Sequence, residues 1–184
     1  MTRFAALLVL PAALACAAFQ PAPKPTAQDQ FFASLQTLCG KNFDGRLASP
    51  PTAADAAFQA PMVVEVRCAD GQVRMPLAVG ADRSRTWVVT RTTTGLTLKH
   101  DHRHTDGTED ALSQYGGATT APGRPDRQDF PTDAFSKDLF TRQNLPASLP
   151  NVWGLEIQPG RLLAYELNRP GRHFRVEFDP TRPR

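Results

Sequence analysis

Three of the chain's four histidines stand at alternating positions in residues 96–107, Leu-Thr-Leu-Lys-His-Asp-His-Arg-His-Thr-Asp-Gly. In a β-strand alternate side chains share a face, so Leu96, Leu98, His100, His102 and His104 point one way and Thr97, Lys99, Asp101 and Arg103 the other. The second set is wholly polar and belongs in water. The leucines therefore face the core, and the histidines, in phase with them, line the interior or mouth of whatever that core encloses. Imidazoles two residues apart on one strand have Cα atoms roughly 6.5 to 7 Å apart and can converge on one ion, whereas the outer two are ~13 Å apart. A zinc or copper site would be centred on His102, helped by His100 or His104 and completed by a carboxylate after the Asp106-Gly107 turn. A two-residue turn sets His104 opposite Glu109; a three-residue turn sets Asp110 opposite His102. Without a metal, the same imidazoles are the polar lining of a mouth, bonded to Glu109 or Asp110, Tyr115 and water. A His–carboxylate pair for acid–base work is the third reading. The sequence holds no Gly-x-Ser-x-Gly nucleophile motif, which weighs against an enzyme. His173 is out of phase with Phe174, Val176 and Phe178 and should face solvent.

The elements that position these residues follow an N-terminal segment of a different kind. Residues 1–18 have the form of an export signal, with Arg3 as its positive end, an apolar run over residues 4–14 and small residues before Cys16. Ala13-Leu14-Ala15-Cys16 also resembles the lipobox of bacterial lipoproteins, with Ala13 where leucine is usual. That resemblance implies a lipid on Cys16 and an anchor in the outer membrane; cleavage after Ala15 or Ala18 and release into the periplasm is the alternative. If Cys16 carries lipid, Cys39 and Cys68 are left as an even pair, which an oxidising compartment would bridge. The net charge of +3 is small, and the arginines form no basic stripe, which argues against nucleic acid as a partner.

Residues 19–27 are a proline-rich spacer, and residues 28–180 read as one domain. Thr26 and Asp29 open a helix with Phe31, Leu35 and Leu38 on one face and Gly40 as its stop. From residue 42 the period becomes two. Strands are expected over residues 43–48, 62–68, 72–79, 85–92, 96–104 and 108–115, the last ended by Gly116-Gly117, with a loop at 49–60. Met62, Val64, Val66 and Cys68 face inward opposite Val73, Met75, Leu77 and Val79 across an Asp70-Gly71 turn. Pro76 lacks a donor, which predicts an edge or a bulge there. After a loop at 119–126 and a brief strand at 127–130, Thr132 caps a helix over 133–143 with Phe135, Leu139 and Phe140 on its apolar stripe. Strands at 152–157, 162–167 and 173–178 close the chain.

A meander this long closes on itself to remove exposed edges. The expected fold is therefore mainly β, an antiparallel barrel with a helix before its first strand and one before its last strands. The pattern resembles the lipocalin and calycin barrels over residues 31–179, although Phe43-Asp44-Gly45 stands where their Gly-x-Trp signature would be. Lys99-His100-Asp101-His102-Arg103-His104-x-Asp106-Gly107 together with Tyr115-Gly116-Gly117 is similar to uncharacterised exported proteins of proteobacteria, a likeness that carries no activity with it. Trp87, Tyr115, Trp153 and Tyr165 are the expected walls of a pocket for a small apolar ligand. The expected function is a ligand-binding or metal-binding module of the envelope, the alternatives being a small enzyme built on the histidine strand and a structural protein whose barrel is filled.

Overall fold

The period-two pattern becomes one antiparallel sheet of eleven strands in a computed structural model that describes residues 24–184. The strands are β1 (Asn42–Leu47), β2 (Met62–Glu65), β3 (Arg67–Ala69), β4 (Gln72–Val79), β5 (Asp82–Thr92), β6 (Gly95–His102), β7 (Tyr115–Ala118), β8 (Arg127–Pro131), β9 (Val152–Gln158), β10 (Leu162–Arg169) and β11 (Arg172–Pro183). Helix α1 (Ala27–Gln36) precedes them, α2 (Ala134–Arg142) follows β8, and 3₁₀ segments occupy Ala53–Gln59 and Pro146–Ser148. The expected export signal, Cys16 and most of the spacer lie outside the described residues.

The order β7-β6-β5-β4-β2-β1-β11-β10-β9-β8 is an up-and-down meander whose first and last strands pair. Its two ends meet at one bridge between Gly117 and Thr132, which brings the sheet to near-closure as a lipocalin-like barrel. Two glycines make that seam. A Cβ on Gly116 would stand 1.9 Å from the Leu98 carbonyl oxygen, and one on Gly117 1.8 Å from that of Pro131. Gly116-Gly117 is thus the interior of β7 and does not end an earlier strand; residues 108–114 are bends and irregular backbone with one isolated bridge at Glu109 instead of the strand expected there.

Inward alternation holds along most strands. Val64, Val66, Leu98, Leu155, Leu163, Tyr165, Val176 and Phe178 are all buried, as their phase requires. Pro76 lies in the interior of the sheet, not at an edge, and pairs with Thr86; the irregularity of β4 falls just beyond it, between Leu77 and Val79. β2 and β3 pair with β4 in one continuous register on either side of Pro76, and the ladder lapses opposite the missing N–H. Val66, in that gap, turns its backbone to Gly40 and Lys41. Cys68 keeps the phase of Val66 but, like the rest of the short β3, is exposed; it is bonded to Cys39, with Cα atoms 5.6 Å apart.

Helix α1 has the capping box expected of Thr26 and Asp29. Phe31, Phe32 and Leu35 bury against the barrel end where β5 turns into β6, and Asp29–Arg91 and Gln28–Thr119 contacts tie the helix there. The cap of α2 is Asp133, because the Thr132 hydroxyl is spent on the Asn151 carbonyl. Phe135, expected on the apolar stripe, is half exposed beside Lys99; Ser136 takes the buried position because its hydroxyl holds both backbone groups of Gly116.

Candidate functional site

The end of the barrel opposite α1 holds a cavity of about 370 Å³, inside the ~300–1,000 Å³ range of small-molecule sites. Its walls follow from strand phase. Trp87 on β5, His100 on β6 and Phe174 on β11 point inward one step below the rim, and Arg85, His102 and Arg172 point inward at the rim itself. On β10 the same series is Tyr165, Leu167 and Arg169.

Trp87 and Tyr165 come from strands that are not neighbours, yet their rings stack at 4.2 Å with 13° between planes. They therefore span the lumen as a floor. Below it the barrel is filled by buried side chains such as Val73, Val89, Leu98 and Leu155; above it lies the cavity. Tyr115, Trp153 and Phe140 continue the aromatic wall, and Phe58 from the 3₁₀ segment leans edge-on against Phe174 at 4.8 Å.

His100 is the most constrained polar group of this wall. Its Nδ1 lies 3.1 Å from the Tyr115 carbonyl oxygen, which can only accept, so Nδ1 carries the proton and Nε2 accepts from the Tyr165 hydroxyl at 2.8 Å. Burial pushes its pKa down to about 3, and the ring is neutral. It stacks on Tyr115 at 4.5 Å, and burial raises the Tyr115 phenol to about 12. His102 is half-buried at the rim, with Nε2 3.4 Å from the Tyr115 hydroxyl. Desolvation and then the Arg85 charge lower its pKa.

The expected metal set does not assemble. The strand ends at His102, and His104 stands at the foot of the turn opposite Thr108, with its side chain 56% exposed and 4.0 Å from Asp110. The turn is the three-residue alternative: Arg103 bridges Glu109, and the Asp110 amide donates to the His102 carbonyl. Asp110 is nevertheless directed to the Leu112 amide, and Glu109 faces outward to Arg103, Ser113 and Gln114. Both ring nitrogens of His100 are taken by tyrosines. Among the described residues no three His, Cys, Asp or Glu side chains form a metal-holding group. Trp87, His100, His102, Tyr115, Trp153 and Tyr165 do come together, as the walls of one cavity.

Sequence reasoning missed the rim arginines. Their signal was the same alternation that placed the histidines, since Arg85 is in phase with Trp87, Arg169 with Tyr165 and Leu167, and Arg172 with Phe174. Arg172 forms a forked pair with the fully buried Asp55, whose carboxyl it holds well below the usual range. Arg85 pairs with Asp82. Arg169 reaches only neutral acceptors, the Ala147 carbonyl at 2.9 Å, Ser148 Oγ at 3.2 Å and Asn151 Oδ1 at 3.5 Å. No family model, curated protein or solved structure matches this chain.

Proposed function

We propose that this protein is a binding module of an oxidising compartment that holds one small, largely apolar molecule in the mouth of its barrel. The observation that carries the reading is the aromatic-walled cavity above the Trp87–Tyr165 floor. A barrel serving only as a structural block gains from filling its lumen, since voids forfeit packing contacts. This one fills the half beneath the floor and leaves the other half hollow. Binding is favoured over catalysis because His100, the one imidazole deep in the site, spends both nitrogens on fixed tyrosine partners. The Cys39–Cys68 bridge supports export from a reducing cytosol. The lipid anchor at Cys16 stays part of the proposal.

Both tryptophans of the chain, Trp87 and Trp153, line the cavity, so entry of a ligand reads out in their emission. Titration with N-phenyl-1-naphthylamine, an uncharged probe that brightens in apolar surroundings, should quench tryptophan emission while the probe signal saturates at one per chain. Leu167→Phe, which adds bulk to the wall, should weaken that binding at least tenfold with the fold intact. Absence of saturable binding, or equal binding by Leu167→Phe, would refute a ligand in this cavity.

A further inference from the structure

We infer that the ligand of this cavity is an amphipathic monoanion that enters apolar end first and leaves a carboxylate at the rim against Arg169. The inference rests on the binding-module reading and adds the charge and orientation of what is bound.

Three cations face the rim from inward positions at the same end of the barrel, Arg85 on β5, Arg169 on β10 and Arg172 on β11. Two of them are already neutralised within the protein, Arg85 by Asp82 and Arg172 by the buried Asp55. Arg169 is not. Its three hydrogen bonds all leave from Nη1 to uncharged oxygens, and its Nε and Nη2 donors have no protein partner among the described residues. No aspartate or glutamate is among the side chains that line the cavity. Among the residues that line the cavity, Arg169 is therefore the cation left without a carboxylate partner, and one negative charge on a ligand would supply it.

The free donors suit a carboxylate head group. Nε and Nη2 form one edge of a planar fork, the geometry that a carboxylate meets with two parallel hydrogen bonds. The Nη1 contacts to the Pro146–Ser148 segment and Asn151 hold the guanidinium in place, so little side-chain freedom is lost when an anion arrives. Below the rim everything changes character. Leu167 stands one step in from Arg169 on the same strand, followed by Tyr165 and its stacked partner Trp87. A molecule seated with its charge at Arg169 thus has its body in the aromatic half of the cavity. The neutral His100 at that depth offers no charge to attract a head group inward.

The test holds the apolar body fixed and varies the head. 4-Phenylbutanoate, 4-phenylbutan-1-ol and 4-phenylbutylamine carry charges of −1, 0 and +1 on one skeleton, and their affinities follow from tryptophan emission or calorimetry with the mature protein. The acid should bind about 10- to 100-fold more tightly than the alcohol, the range expected of hydrogen bonds to a charged partner, and the amine should bind weakest. Arg169→Met should bring the acid down to the level of the alcohol without moving the alcohol, and Arg169→Lys should restore part of the preference. Equal affinity for acid and alcohol, or an acid preference that survives Arg169→Met, would overturn the anion inference while the cavity reading stands on its N-phenyl-1-naphthylamine result. If neither that probe nor any of the three compounds binds, both fall together.

Discussion

The hydrogen bonds of His100 fix its tautomer, and its burial fixes its charge. With a pKa of about 3 in place of the ordinary 6.5, it refuses a proton that the unfolded chain accepts. The unfolded state therefore binds more protons below pH ~6.5, and stability falls as pH drops, by up to about 1.4 kcal/mol per pH unit from this group. Asp55 and Glu166 act in the same direction at lower pH. Arg172 holds the first below its usual range, and for Glu166 bonds from Arg127, Asn168 and Arg175 outweigh burial and hold it at about 2. Their stabilisation is present above pH ~4.5 and lost on further acidification. Urea midpoints of the wild type should thus decline between pH 7 and pH 5, before those carboxylates matter. His100→Leu should flatten most of that decline, leaving the smaller part that belongs to the half-buried His102. An unchanged slope would mean that His100 is charged in the folded protein. The phase of His100 with Leu96 and Leu98 and its nearness to Tyr115 were readable from spacing alone; its second partner, Tyr165, 65 residues away, was not.

Among the elements, strands with an uninterrupted apolar face were legible, because burial on one side of a sheet leaves a period of two that nothing else imitates. Legibility failed where a side chain is claimed by a hydrogen bond that spacing does not reveal. Residues 108–114 alternate well enough for a strand, yet the three-residue turn and the Asp110 and Glu109 bonds take their backbone out of the ladder. Thr132 looks like a helix cap until Asn151 claims it, and Ser136 looks exposed until Gly116 does. These contacts carry a testable weight. Gly116→Ala or Gly117→Ala drives a methyl group into a backbone carbonyl, and each should cost about 2–4 kcal/mol, measured by chemical denaturation. The Cys39–Cys68 bridge spans 29 residues of sequence. Cys39→Ser with Cys68→Ser should lower stability by about 3–4 kcal/mol on the loop-entropy model. A loss under about 1 kcal/mol would show that the helix end is already held by its other contacts.

At the scale of the whole molecule the two ends of the barrel differ in kind. One is shut by α1 and its apolar face; the other is rimmed by arginines and partly roofed by Ala53–Gln59, which Asp55 fastens to Arg172. That latch is buried at the carboxylate, so Asp55→Asn should cost about 3 kcal/mol and expose residues 53–59 to limited proteolysis. Equal protease sensitivity of the two proteins would mean that the roof is held by Phe58 instead. None of this asymmetry is written in any one strand. It arises because side chains from opposite walls meet across the lumen, as Trp87 and Tyr165 do, and strand phase says which face a residue takes but not what stands opposite. The single bridge that completes the barrel has a consequence in time. Every other pair of neighbouring strands is joined by a ladder of several residues, whereas β7 and β8 share one bridge and the Ser136 and Asp133 contacts to Gly116. Openings short of global unfolding begin where the fewest bonds must break together. In deuterium oxide the amides of β7 should therefore exchange well before those of β5 and β10, and the wall of the cavity beside Tyr115 would be the one that breathes.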